Sequence, residues 1–142
     1  MNKKSFYEEK LLWRLQRNKL SSSDKLVFTG LHDSIKQHLL EYAGIETIPV
    51  IVFWNGKELW TFISGLEVVS MHSGLVHRIH LDDINKKIKV PSLVKQGKES
   101  KMTFNYLDLG DEGIRVWAPE GKEMFVLMNL LQMFPLLNNQ IT

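Results

Sequence analysis

Two histidines in the middle of this 142-residue chain have types and a spacing that could do chemistry. His72 and His77 flank Ser73-Gly74, a dipeptide typical of a tight hairpin turn. If that dipeptide closes the turn, the two imidazoles form a diagonal pair on one face, close enough to meet. A zinc site usually needs three or four ligands, and His80 points to the other face. We therefore predict a hydrogen-bonded pair at the rim of a sheet and no metal site.

Lysines are the second group, concentrated just after that hairpin in a stretch without arginine. They are Lys86, Lys87, Lys89, Lys95, Lys98 and Lys101. If the fold brings them together, they could contact a partner or an anionic surface. A solvated face is the simpler interpretation, because no aromatic residues interleave with the lysines.

Signatures of common enzyme classes are missing from the sequence. It has no glycine-rich phosphate loop and no His-Glu-x-x-His motif. It also lacks the Gly-x-Ser-x-Gly turn of serine hydrolases. Asp82 and Asp83 are neighbours that point apart in a strand, which suits turn or cap residues. We interpret Asp108, Asp111 and Glu112 as a solvated acidic turn. The sequence therefore predicts no enzymatic activity, no catalytic residue and no cofactor.

Composition favours a single domain of ordinary make-up. Hydrophobic residues form 44% and charged residues 24% of the chain, and its length suffices for a core. Because there is no cysteine, disulfides and thiolate metal sites are excluded and an intracellular setting is favoured. A formal charge of +2 is too small to indicate nucleic-acid binding. No signal peptide or membrane span is evident, so we expect a cytoplasmic protein.

Antiparallel strands in the middle of the chain must position these side chains. Asn55-Gly56 lies between two strand-like runs and suits a two-residue turn, which pairs Trp54 with Lys57 and Ile51 with Trp60. Both faces of the first strand are then apolar, so we expect other elements to pack over each face.

The second hairpin is predicted to turn at Ser73-Gly74. That turn pairs His72 with Leu75 and Ser70 with His77. Further strands at 86–90, 102–109 and 114–117 bring the total to about seven.

Helical periodicity predicts elements on both sides of the strands. Residues 4–18 form an amphipathic pattern with Trp13 off its apolar stripe. We interpret Trp13 as contacting another part of the fold, and a partner-facing anchor is the alternative. Residues 34–43 predict a second helix. Residues 122–134 predict a final helix that is apolar nearly all round and must be buried on more than one side.

Three stretches of this sequence resemble the pleckstrin-homology (PH) superfold, especially bacterial PH-like domains. They are residues 58–64, the hairpin 68–84 with its ending Leu-Asp-Asp-Ile, and the closing segment 113–125. The resemblance covers about residues 47–136. It implies an α+β fold, a bent antiparallel half-barrel of about seven strands plugged by a C-terminal helix.

Two consequences follow from that resemblance. Residues 1–46 become an N-terminal helical extension of a PH-like domain at 47–142. Phosphoinositide-binding members carry several Lys and Arg residues around the first hairpin loop, whereas here only Lys57 stands beside Asn55-Gly56. The resemblance therefore does not imply inositol-phosphate binding.

The function that these features favour is a non-enzymatic protein-interaction module with a PH-like fold, such as a bacterial adaptor or immunity-type protein. Its partner would be another protein, with a homo-oligomer as a further option and no role for nucleic acid. One alternative is a peripheral domain that binds anionic lipid weakly through the basic segment 86–101. Another is a small metal-dependent hydrolase that uses the rim pair His72 and His77.

Overall fold

The computed structural model of the chain describes residues 3–17, 26–44, 47–91 and 105–136. The elements are, in chain order, α1 (Lys3–Arg17), α2 (Asp33–Leu40), β1 (Ile51–Trp54), β2 (Trp60–Ile63), β3 (Glu67–His72), β4 (Leu75–His80), β5 (Ile88–Lys89), β6 (Tyr106–Leu109), β7 (Ile114–Trp117) and α3 (Lys122–Leu131). Strands β1 to β4 form one antiparallel sheet in sequence order, and β5 to β7 form a second. The predicted α+β class is confirmed. The described strands do not close into a barrel.

The predicted register of the first hairpin is wrong. Trp54 pairs with Trp60 and Ile51 pairs with Ile63, not with Lys57 and Trp60. The partner strand is therefore displaced by three residues. Because side chains alternate between faces, an odd displacement moves every side chain of that strand to the opposite face.

The reason for this shift is a longer loop, which spans residues 55–59. The Asn55 N–H donates to the Leu59 carbonyl at 2.9 Å, and the Leu59 N–H donates to the Gly56 carbonyl at 3.3 Å. Gly56 has φ of 116°, a backbone conformation that glycine adopts without strain. The indole N–H of Trp60 also donates to the Lys57 carbonyl at 3.0 Å. The longer loop therefore supplies a hydrogen-bond acceptor for this buried side chain.

The second hairpin has the predicted register. His72 pairs with Leu75 and Ser70 pairs with His77. Ser73 and Gly74 both have positive φ, as a two-residue turn of this twist requires.

The four-stranded sheet is covered on both faces, as the apolar first strand predicted. One face, here called the outer face, carries Val52, Trp60, Phe62 and Val69, which pack with Phe28 and Leu39. Trp60 and Phe62 stack at 5.7 Å between ring centroids. Burial of these two large rings favours the observed register, because α2 supplies the cover on that side.

The opposite face, here called the inner face, belongs to a larger core built with α1, the three-stranded sheet and α3. Tyr7, Leu11 and Leu15 of α1 recur every four residues and are all buried there. The buried side chains of α3 are Met124, Val126, Leu127, Leu130 and Leu131. The predicted burial of the final helix against the sheet is therefore observed, while the division into 1–46 and 47–142 stays a prediction.

Several element bounds differ from the sequence expectations. The N-cap of α2 is His32, whose side chain accepts the Ser34 N–H, so the helix begins one residue before the expected 34. The expected strand 86–90 is reduced to two residues, and residues 102–104 of another lie outside the described ranges. Helix α3 ends at Leu131, with tighter turns through 134 before Pro135.

Hydroxyl groups fix the two sheets to each other. Thr61 Oγ1 donates to the Trp117 carbonyl at 2.6 Å, and the Trp117 N–H donates to Ser70 Oγ at 3.1 Å. Thr61 and Ser70 are themselves 2.7 Å apart across the strands. Strand β7 is thereby held on the inner face by directional contacts as well as by apolar packing.

Candidate functional site

The structure brings His72 and His77 together, but as stacked rings. Their ring centroids are 4.0 Å apart and the planes differ by 4°. Tyr106 contacts His72 edge-on at 5.2 Å. The hydrogen bonds of His72 go to other residues: its Nδ1 lies 3.0 Å from Ser73 Oγ and its Nε2 lies 3.0 Å from the Arg115 carbonyl.

Those hydrogen bonds decide what His72 can bind. A carbonyl oxygen only accepts, so Nε2 must carry the proton, and in the neutral ring Nδ1 accepts from the Ser73 hydroxyl. Burial lowers the pKa of His72, although the hydrogen bond to the Arg115 carbonyl opposes this change. Neither nitrogen therefore has a free lone pair for a metal ion unless an existing hydrogen bond breaks.

His77 differs from its neighbour because its Nε2 is buried and has no hydrogen-bond partner among the described residues. A single available nitrogen is a poor start for a zinc site, which takes three or four ligands. Within the described ranges, no group of three or more His, Asp or Glu side chains is placed to hold a metal ion. The pair is a stacked contact within the four-stranded sheet, and His72 also contacts Tyr106 and Arg115 of the second sheet.

The lysines that the sequence singled out go to different places. Lys86 Nζ lies 3.2 Å from the Gln132 carbonyl and 3.3 Å from the Met133 carbonyl, so it caps the C-terminal end of α3. Lys87 forms an ion pair with Asp111. Lys89 is exposed on β5. Lys95, Lys98 and Lys101 lie outside the described residues.

A cleft that the sequence did not predict lies where α1 meets the end of α3. It has a volume of about 430 Å³ and is lined by Lys10, Trp13, Arg14, Lys86, Gln132, Met133, Pro135 and Leu136. We call it the basic cleft. Trp13 is 46% exposed, so the fold covers only part of the side chain that we expected to contact another element.

Cations surround the Trp13 ring. Lys10 Nζ lies 5.0 Å, Arg17 Cζ 5.1 Å and Arg14 Cζ 5.7 Å from the ring centroid. Residues three and four positions away lie on the same side of a helix, which accounts for Lys10 and Arg17. The sequence therefore did carry a signal for this cluster of cations around Trp13: a tryptophan off the apolar stripe, with basic residues at helical spacing.

A second cleft of about 640 Å³ lies between the first hairpin loop and the start of α3. Its described lining is Trp54, Asn55, Leu59, Asn105, Tyr106, Trp117, Pro119, Glu120 and Glu123. We call it the acidic cleft. Its residues are distant in sequence, so only the tertiary fold assembles it.

A third cluster of titratable side chains holds α1 on the fold. Asp82 accepts hydrogen bonds from Lys3 Nζ and Tyr7 Oη, both at 2.6 Å. Burial and then the hydrogen bond to Asp82 raise the pKa of Tyr7 to about 12. Burial would raise the pKa of Asp82, but the Lys3 and Tyr7 hydrogen bonds outweigh it and lower that pKa. Asp82 is therefore a structural anchor for the helix that carries Trp13.

None of the helices in the described ranges is both long and apolar enough to cross a membrane. Comparison of the chain with protein-family models, with curated proteins and with solved structures found no match.

Proposed function

We propose that this chain is a non-enzymatic protein-interaction module on a PH-like scaffold, and that the basic cleft binds an acidic segment of a partner protein. The observation that carries the proposal is Trp13, a half-exposed tryptophan ringed by cations at the mouth of a cleft. Tryptophan and arginine are the residues most enriched among those that dominate protein–protein binding energy.

The order of elements supports the PH-like part of the proposal. A four-stranded antiparallel sheet is followed by a three-stranded one and then by a helix buried against both. This is the order that the resemblance implies. The cover of α2 on the outer face lies outside that plan and belongs to the N-terminal extension.

The charge of the cleft supports an acidic partner. Lys10, Arg14 and Lys86 line it, and its described lining includes no carboxylate. A surface of one sign attracts a partner of the opposite sign and disfavours like-charged ones. The apolar floor of Met133 and Pro135 then suits an apolar side chain set between acidic residues.

The rigidity of the cleft supports binding of a defined segment. Lys86 is held by two carbonyls at the end of α3, and α1 is held through Asp82. Walls that do not have to be ordered on binding cost less conformational entropy. A concave, fixed site fits a peptide segment better than a flat membrane surface.

The test titrates the purified protein with a synthetic peptide that alternates glutamate and leucine, and with a control peptide in which glutamine replaces glutamate. We expect the acidic peptide to shift the NMR signal of the Trp13 indole and the glutamine peptide to bind much more weakly. Because truncation of a dominant anchor costs 2 kcal/mol or more, Trp13→Ala should weaken binding by more than about tenfold.

Phe125→Ala is the matched control, because Phe125 is an exposed aromatic on another helix. It should leave the affinity unchanged. Equal binding of both peptides, or equal affinity of the Trp13→Ala variant, would refute the proposal. Binding to vesicles that contain phosphatidylserine, without binding to the acidic peptide, would instead favour the lipid-binding alternative.

A further inference from the structure

We infer that the acidic cleft is a binding site for a guanidinium cation carried on an apolar stem. This proposal does not depend on the basic cleft, which lies elsewhere on the molecule and has the opposite charge. It rests on three properties of one cavity: aromatic lining residues, two carboxylates that form no ion pair among the described residues, and a suitable size.

The walls are positioned by the two sheets. Tyr106 and Trp117 are directly paired across β6 and β7, so both lie at the same end of that hairpin. The backbone of Trp117 is anchored by Thr61 and Ser70. Trp54, the last residue of β1 before the first hairpin loop, also lines the cleft.

The carboxylates supply the charge. Glu120 follows β7, and Glu123 lies in the first turn of α3. Neither forms an ion pair with another described residue, in contrast to Asp82, Asp108 and Asp111. The positive end of the α3 dipole makes a glutamate favourable in the first turn, but it does not provide a counter-ion.

The chemistry of these groups favours an organic cation over a metal ion. The described residues hold no group of three metal-ligating side chains, and a cleft of about 640 Å³ is far larger than a metal site needs. Clefts of this size hold organic ligands or side chains. Aromatic faces attract cations by their quadrupole, and a carboxylate nearby adds to that attraction.

Among organic cations, guanidinium fits this combination best. It is planar, so it stacks on an aromatic ring, and its fork of donors bonds a carboxylate with two hydrogen bonds. An ammonium group is a compact, strongly hydrated point charge that gains less from either contact. The apolar stem of an arginine would lie along Leu59 and Pro119.

The experiment titrates the full chain with N-acetylarginine amide while the indole signals of Trp54 and Trp117 are followed by NMR. N-acetylcitrulline amide has the same shape without the charge, and N-acetyllysine amide with a free ε-amino group has the charge without the fork. We expect saturable binding of the arginine compound, weaker binding of the lysine compound and no binding of the citrulline compound.

Glutamine substitutions test the carboxylates without removing their bulk. Because a partly exposed ion pair contributes up to about 1 kcal/mol, Glu123→Gln and Glu120→Gln should each weaken binding by about two- to fivefold. Glu112→Gln, at the turn at the other end of the β6–β7 hairpin, is the matched control and should have no effect. Thermal melts of all three variants check that the fold is retained.

Two sources of guanidinium are distinguished by adding agmatine as a fourth probe. Tighter binding of agmatine than of the arginine amide indicates that the ligand is a small free guanidinium compound. The reverse order indicates that the ligand is an arginine within a peptide. Four results would each overturn the proposal. Two of them are equal binding of the citrulline compound and binding of the lysine compound as tight as that of the arginine compound. The others are the absence of any binding and an unchanged affinity in the variant that carries both Glu120→Gln and Glu123→Gln.

Discussion

The two faces of the four-stranded sheet are built by different forces. On the outer face the buried sheet residues are apolar, with Trp60 stacked on Phe62 beneath α2. The inner face also buries polar side chains, and Thr61 and Ser70 hold the backbone of Trp117. Apolar packing is non-directional, whereas hydrogen bonds are directional and fix the position of the second sheet.

Elements held by hydrogen bonds also line the two clefts. The basic cleft lies between α1 and the residues that follow α3, and the acidic cleft lies between the first hairpin loop, one end of the β6–β7 hairpin and the start of α3. The hydrogen bonds of Thr61, Asp82 and Lys86 hold those elements in register while leaving gaps between them. The outer cover has hydrogen bonds too, but they lie at its exposed margin: His38 Nε2 is 3.3 Å from the Lys57 carbonyl, and Arg78 donates to the Tyr42 carbonyl at 2.6 Å.

The largest effect in this comparison is expected at Trp60, which is fully buried on the outer face. Removing a buried tryptophan loses the transfer free energy of the ring and leaves a cavity, so Trp60→Ala should destabilise the fold by about 3–5 kcal/mol. Urea denaturation measures the change. Trp13→Ala is the matched control and should stay within about 0.5 kcal/mol, because the side chain is half exposed.

A loss of less than half the expected value at Trp60 would mean that the outer cover contributes little to the cooperative unit. Residues of α2 would then exchange their amide protons independently of the rest of the fold. Such a result would support the division of the chain at residue 46 that the sequence suggested.

The next effect is expected at Thr61, the neighbour of Trp60 on the opposite face. Thr61→Val keeps the shape but removes the hydroxyl that donates to the Trp117 carbonyl. A buried acceptor left without a donor costs about 1–3 kcal/mol. Double-mutant analysis with Ser70→Ala should give non-additive losses, because both hydroxyls contact the same residue. Additive losses would argue against a joint anchor.

The two hairpins differ in how well the sequence specified them. Ser73-Gly74 closes a turn with no further residues, so local chemistry determines the register. Asn55-Gly56 has equally suitable chemistry, yet burial of Trp60 under α2 draws the strand three residues further. Tertiary packing outweighed the local turn preference there, and no property of the loop residues alone could reveal it.

The candidate sites were less predictable than the fold, for similar reasons. The pair His72 and His77 followed from the register of one hairpin. Exposure of Trp13 depends on which elements cover α1, and that is settled by distant contacts at Asp82. Adjacent lysines in the sequence, Lys86 and Lys87, reach a helix end and an acidic turn respectively. The acidic cleft joins residues from both sheets.

The smallest effect expected is a pH dependence of the inner face through His72. Burial lowers its pKa below the ordinary 6.5, helped by the charges of His77 and Arg115, while the Arg115 carbonyl opposes the shift. Arg115 is itself paired with Asp108 at 2.8 Å, and Tyr106 contacts the His72 ring edge-on. The folded state therefore binds a proton at His72 less readily than the unfolded chain does.

The sign of the effect follows from that difference in proton binding. Well above pH 6.5 His72 is neutral in both states and its contribution is complete. As the pH falls through 6.5, the unfolded chain takes up a proton first, so the free energy of unfolding decreases until the folded state is also protonated.

Urea midpoints at about pH 7.5 and about pH 5.5 should differ more in the native protein than in His72→Gln. His32→Gln, an exposed histidine at the start of α2, serves as the control. Equal pH dependence in the native and His72→Gln proteins would mean that the stacked pair does not couple the inner face to pH.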